Sequence, residues 1–137
     1  MRLGATKREP RSQAASYLSV AQALVQTARA IDVLGERTYG NGLAIIAIHA
    51  AIAYTDALTI AVGEMKSTDG DHLRAVDVLT HVLGARADVA QVKRLRRVLA
   101  AKSTASYGGN YYTLEDGRDI LADVEKYAAW AEGLLTG

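Results

Sequence analysis

The sequence predicts an all-α fold, an up-and-down bundle of four to five helices. Three observations support this. Half of the 137 residues are hydrophobic, the apolar side chains recur at the three- and four-residue spacing of a helix face, and glycine-containing turns divide the chain into segments of helical length. There is no alternating pattern of useful length, so no strand is expected. A chain of this size suits one compact domain.

Each helix is bounded by recognisable signals. Ser12 can cap the first helix, and Gly84 is expected to end the third in a left-handed conformation. The fifth opens with Thr113 and Asp116 at capping-box spacing, with Asp in place of the usual Glu. The predicted helices cover about 12–36, 42–65, 71–83, 87–104 and 113–135.

Residues 1–11 are basic and end near Pro10, so we expect a flexible tail before a single helical domain over 12–137. The net charge of +1 is too small to attract the protein as a whole to nucleic acid or to a membrane surface. The absence of cysteine excludes disulfides and fits a reducing, cytoplasmic location. Residues 43–62 are apolar enough to suggest a membrane span. However, His49 and Asp56 lie within them and would be costly there, which favours a buried core helix.

The stretch KSTASYGGNYYT, residues 102–113, differs from its alanine- and leucine-rich surroundings. Lys102 continues an apolar helical stripe and should emerge beside the tyrosines that follow. A cation among aromatic rings can engage a phosphate while the rings stack on bases. The alternative is that the tyrosines cover the end of the core and the glycines only make a turn. The candidate ligand-binding residues here are Lys102, Ser106, Tyr107 and Tyr112.

His49 and Asp56 are two further ligand-binding candidates. They lie seven residues apart on one stripe of the second helix, about 10 Å apart along its axis. They either line a polar groove or a dimer seam, or each is satisfied locally by a tyrosine hydroxyl or an arginine. Lys93, Arg94, Arg96 and Arg97 form a basic cluster that either holds phosphates or pairs with the acidic fifth helix. The three histidines are on separate segments, so neither a metal site nor a cofactor is predicted.

Two stretches carry a resemblance to a known family. In 44–72, Ile48-His49-Ala50-Ala51 is followed by Ala57-Leu58 and, after a turn, by His72. In 102–135, Ala105, Tyr107 and Gly108 precede a loop and a helix with an acidic opening. Both stretches resemble the HEPN domain, a small α-helical family of prokaryotic nucleotide- and RNA-associated proteins, over about two thirds of the chain. Lys102 and Ser106 stand where the family usually has Arg and Asp.

The resemblance implies a helical bundle that is usually dimeric and, in toxin members, a metal-independent ribonuclease. That activity uses an Arg followed after four to six residues by a His at the end of the penultimate helix. Here Lys102 occupies the position and no histidine follows it. Arg74 and His81 match the spacing elsewhere, on the third helix, but the composition makes one such match expected by chance. Broad apolar helix faces independently favour a homodimer.

Three functional hypotheses result. The first is a non-catalytic HEPN-like binding or regulatory module for nucleotide or RNA, linked to a nucleotidyltransferase or antitoxin partner. The second is an active ribonuclease toxin that uses Arg74 and His81 or a tyrosine-assisted variant. The third is a structural subunit that binds another protein through an apolar helix face. Because the family's histidine is missing, we expect no enzymatic activity.

Overall fold

The computed structural model describes residues 3–137 and is 78% helical. Five α-helices form the bundle, and the predicted all-α fold class is confirmed. Besides the helices, the structure contains a small antiparallel ribbon of two strands, which the sequence did not predict. In chain order the elements are β1 (Thr6–Arg8), α1 (Ala14–Leu34), α2 (Gly40–Gly63), β2 (Met65–Ser67), α3 (Arg74–Leu83), α4 (Val89–Ser106) and α5 (Leu114–Thr136).

Helix α2 is the centre of the bundle. It packs mainly against α1 and α5 and, on its other side, against α3 and α4. Alanines at 44, 47, 50, 51 and 57 are fully buried along it, and side chains this small let neighbouring backbones approach closely. The larger buried side chains of Leu43, Ile48, Leu58 and Tyr127 fill the spaces between these contacts.

The helix boundaries lie within three residues of those predicted. The capping box of α5 is present, since Thr113 Oγ1 accepts from the Asp116 N–H at 3.0 Å and the Asp116 carboxylate accepts from the Thr113 N–H at 2.9 Å. Gly84 ends α3 with a positive φ of +56°, but its ψ of −123° lies outside the left-handed helical region, so the predicted left-handed cap is wrong. The prediction for Ser12 is wrong, because it lies in the 3-10 turn Arg11–Gln13 and no side chain caps α1.

The structure differs from the sequence prediction in the N-terminal segment. Thr6–Arg8 pairs with Met65–Ser67 in antiparallel register, Lys7 opposite Lys66. The expectation of a flexible tail and of no strands is therefore corrected for this segment; Met1 and Arg2 lie outside the described residues. Both strands are three residues long and rich in charge, so neither shows the alternation that identifies a strand in sequence.

Arg11 follows this ribbon and bonds to the last turn of α2. Its Nε donates to the Ala61 carbonyl at 2.6 Å, its Nη2 donates to the Val62 carbonyl at 3.4 Å, and its Nη1 lies 3.6 Å from the Glu64 carboxylate. The final carbonyls of a helix have no partner within the helix. The guanidinium therefore satisfies the C-terminal end of α2.

Among the described residues one helical segment, Arg37–Gly63, is long and apolar enough to cross a membrane. Within its most apolar window 61% of the residues are buried by the rest of the bundle. Core helices of soluble proteins pass the same test of length and composition, so the segment is weak evidence for a span.

Candidate functional site

A cleft of about 350 Å³ lies between the turn that leads into α3 and the C-terminal half of α4. We call it the lysine cleft. Gly70, Asp71, His72 and Leu73 form one wall. The other wall comes from α4 and the residue after it, and consists of Leu99, Ala100, Lys102, Ser103 and Tyr107.

Lys102 is the central cation of the lysine cleft. It is half-buried, and its Nζ lies 5.3 Å from the centre of the Tyr107 ring, which is 79% exposed. Within residues 3–137 no carboxylate lies within 4 Å of this ammonium group. Asp71 also lines the cleft, but its Oδ1 accepts the Leu73 N–H at 3.1 Å. The aromatic face stabilises the cation without neutralising it.

Two histidines share the electrostatic environment of Lys102. Burial lowers the pKa of His72, and the charges of Lys102 and His49 lower it further, against an opposing effect of Asp71. The pKa of His49 is also lowered, first by desolvation of the part of the ring that faces the protein and then by Lys102. His49 lies one turn before Ile52, which lines a second cavity of about 230 Å³ together with His72. Both imidazoles therefore favour the neutral form.

Asn41 holds the segment after α4, residues 107–113, which we call the tyrosine loop. Its Nδ2 donates to the carbonyls of Ala105 and Asn110, each at 2.9 Å, and its Oδ1 accepts the Tyr112 N–H at 2.8 Å. The side chain at the start of α2 thus holds the last turn of α4 and, through Asn110 and Tyr112, the second half of the loop. Sequence reasoning missed this role, because these bonds join residues more than 60 positions apart.

The tyrosines of the loop have different environments. Tyr107 lines the lysine cleft. Tyr112 instead exchanges a 2.8 Å hydrogen bond with the Thr104 hydroxyl, and Tyr111 donates to the Arg37 carbonyl at 3.1 Å. One ring is therefore available to a ligand in the cleft, while two hydroxyls anchor the loop.

Several predicted site residues lie apart from the lysine cleft. Ser106 does not line it, and the neighbouring Ser103 does. Asp56 is buried, and its Oδ2 lies 3.3 Å from Lys66 Nζ, so its charge is satisfied locally. Burial nevertheless raises the pKa of Asp56, although Lys66 opposes the shift. The site as found therefore takes Lys102 and Tyr107 from the prediction.

Arg74 and His81 do not line the lysine cleft either. Arg74 Nη1 donates to the Asp77 carboxylate at 3.3 Å, and His81 is exposed near the end of α3. The sequence signal that could have found His72 is its position in the HEPN-like stretch, where it was noted only as the residue opening the third helix. In residues 3–137 there is no group of three or more His, Cys, Asp or Glu side chains that could hold a metal ion.

The basic cluster of α4 is divided by the fold. Arg94 and Arg97 lie 3.4 and 3.0 Å from the Asp123 carboxylate of α5, as the pairing interpretation predicts. Lys93 and Arg96 point away from α5 and line a separate groove. Half of the cluster is therefore structural, and half is available to other partners.

Comparisons with family models, with curated proteins and with solved structures found no match. The HEPN resemblance accordingly stays an expectation from the sequence.

The chemistry of the lysine cleft is that of an anion site. An ammonium group without a carboxylate partner can hold a phosphate, and an exposed ring beside it can stack on a base. A neutral imidazole can donate one hydrogen bond, accept another, and transfer a proton near neutral pH. The cleft therefore places an ammonium group, an exposed aromatic ring and one imidazole, that of His72, around the same space.

Proposed function

We propose that the protein is a HEPN-like binding module that holds a phosphate-bearing ligand, a nucleotide or single-stranded RNA, in the lysine cleft. The observation that carries the proposal is the half-buried Lys102, beside the exposed ring of Tyr107 and free of a carboxylate partner in the described chain.

The electrostatics of the cleft favour an anion over other ligands. Desolvation and, after it, the positive charge of Lys102 lower the pKa of His49 and His72, and His72 lines the cleft together with Lys102. An anionic ligand would relieve that repulsion and favour protonation of both imidazoles. Asp71 opposes binding, but its carboxylate already accepts a backbone N–H. Aromatic stacking beside a cation is sequence-tolerant and suits nucleotides in general.

The remaining expectations belong to the same proposal. A homodimer would bring two lysine clefts into one particle, and a nucleotidyltransferase or antitoxin protein would be the regulated partner. A cytoplasmic location suits a nucleotide or RNA ligand. The HEPN resemblance and the broad apolar faces support this part of the proposal.

The test compares Lys102→Gln with Lys126→Gln. Lys126 is an exposed lysine of α5 that, like Lys102, lies more than 4 Å from every described carboxylate. Binding of ATP and of a fluorescent oligoadenylate is measured by calorimetry and anisotropy at low and at physiological salt. We expect Lys102→Gln to weaken binding about tenfold or more and Lys126→Gln to leave it unchanged. Equal binding by the two variants, or no binding by the wild-type chain, would reject the proposal.

A second candidate function is metal-independent RNA cleavage in the same cleft. The observation that favours it is that His72 lines the cleft together with Lys102, because cleavage needs a base for the 2′-hydroxyl and a cation for the phosphate. His72, from the turn before α3, would then replace the histidine missing after Lys102, whereas His49 of α2 does not line the cleft.

Incubation of single-stranded RNA with the protein and EDTA distinguishes the two functions. Cleavage that is lost in His72→Gln but retained in His81→Ala would support the second candidate. Cleavage lost only in His81→Ala would assign the activity to Arg74 and His81 instead. Intact RNA with the wild-type protein, together with Lys102-dependent binding, supports the non-catalytic module.

A further inference from the structure

We propose that a groove where α3 meets α4 is a docking surface for an acidic amphipathic segment of a partner protein. We call it the corner groove. It has a volume of about 360 Å³, and its apolar wall is formed by Ala87, Val89 and Val92, with Lys93 and Arg96 beside them. This surface is separate from the lysine cleft and does not depend on its ligand.

The geometry of α4 places apolar and basic side chains on one stripe. Val89, Val92, Lys93 and Arg96 are spaced by three, one and three residues, so they share one face of the helix. The buried residues Leu95, Val98 and Leu99 lie on another face. Val89 is 69% exposed although it is β-branched and aliphatic. Val92, like Ala87, is partly buried against the core, so Val89, Lys93 and Arg96 are the exposed part of this stripe.

The cations of the corner groove are the ones that the fold leaves unpaired. In the described chain as a whole most Lys and Arg side chains lie within 4 Å of a carboxylate. Six do not, and three of these six lie at this corner. The corner set is Arg86, Lys93 and Arg96, and the others are Arg37, Lys102 and Lys126.

The nearby carboxylates do not neutralise this set. Asp88 caps α4, where its Oδ1 accepts the Gln91 N–H at 3.1 Å. Asp77 pairs with Arg74 on α3. The result is an apolar floor with a basic rim, which is complementary to a segment that carries aliphatic anchors flanked by Asp or Glu.

The chemistry of the groove distinguishes a protein segment from nucleic acid. No tyrosine or tryptophan lines it, so it offers no ring on which a base could stack. Apolar anchors in a desolvated pocket supply most of the affinity of protein interfaces, and rim charges supply selectivity and association rate. Lys93 lies nine residues before Lys102 on α4, about 13 Å along the axis, so the two sites can be altered independently.

The test selects random 12-residue peptides displayed on phage against the full-length protein. We expect enriched sequences that are rich in Asp and Glu and carry aliphatic residues three or four positions apart. Synthetic peptides from this set should bind to two variants, the double substitution Lys93→Glu/Arg96→Glu and the single substitution Val89→Ser. For each variant we expect an affinity at least about tenfold lower than that for the wild-type protein. The matched control Lys126→Glu should bind them unchanged. Far-UV circular dichroism checks that the variants, all altered at exposed positions, stay folded.

Three outcomes would overturn the proposal. The first is no enrichment, or enrichment of peptides without an excess of acid. The second is equal binding by wild-type protein and Lys93→Glu/Arg96→Glu. The third is a different occupant, shown either by self-association of the chain that Val89→Ser abolishes or by single-stranded RNA binding that Lys93→Glu/Arg96→Glu abolishes while Lys102→Gln leaves it intact.

Discussion

Replacing Asn41 with alanine tests how the tyrosine loop is held in place. The change removes three hydrogen bonds, two donated by Nδ2 at 2.9 Å and one accepted by Oδ1 at 2.8 Å. Each such bond contributes about 0.5–1.5 kcal/mol net. One of the loop groups left behind is exposed and can bond to water. The three bonds together contribute about 1.5–4.5 kcal/mol, and we expect a loss of about 2–3 kcal/mol, in the lower half of that range.

Urea and thermal unfolding followed by circular dichroism measure this loss. For a domain of this size we expect the midpoint of thermal unfolding to fall by roughly 6–12 °C. Asn110→Ala is the control on the same loop, because the bond at Asn110 uses its backbone carbonyl, and it should change stability by less than about 0.5 kcal/mol. Equal stabilities for Asn41→Ala and Asn110→Ala would refute the argument that the asparagine at the start of α2 fixes the loop.

Three further predictions concern packing and protonation. Gly40→Ala should destabilise the protein by at least about 3 kcal/mol, since an added Cβ would lie 2.2 Å from two backbone carbonyl oxygens of the segment before α5. Gly42→Ala, with nothing within 4 Å of its Cβ, should instead stabilise the protein by about 0.5–1 kcal/mol. Unfolding curves of the two variants that coincide would contradict this contrast. Tyr127→Phe should lose about 1–2 kcal/mol, because the buried ring's hydroxyl makes a 2.7 Å bond that water cannot replace, and a loss below 0.5 kcal/mol in urea unfolding would count against it. Folding lowers the pKa of His49 and His72 below 6.5, so below about pH 6.5 the unfolded chain takes up protons that the native chain does not. The free energy of unfolding should therefore decrease as the pH is lowered from about 7.5 to about 5.5. If the His49→Gln/His72→Gln variant loses stability as steeply over this range, these histidines are not the cause.

The helices were predictable because their signals are local. The capping box at Thr113 and the glycine of positive φ that ends α3, Gly84, each involve residues within one turn of the helix end. The ribbon could not be predicted in this way. It pairs Thr6–Arg8 with Met65–Ser67, and its charged residues have no alternating pattern to mark them as strands.

The candidate site was predictable only in part, for a related reason. Lys102 and Tyr107 are only five residues apart at the end of α4, so the short stretch of chain between them keeps the two side chains in one region. His72 reaches the same cleft because α3 packs beside α4, a tertiary arrangement that the spacing of residues in the sequence does not contain. Asn41 is a similar case, since its hydrogen-bond partners are 64 to 71 residues away in the sequence.

The bonds from Arg11 to the last carbonyls of α2 have a practical consequence for anyone who shortens this protein. A leading segment that looks dispensable invites a truncation that begins at Ser12. Such a chain would leave those carbonyls without their guanidinium donor and would leave β2, Met65–Ser67, without its partner strand. Such a shortened product would expose a ragged helix end and an open sheet edge together, and its poor solubility would be an artefact of the trimming.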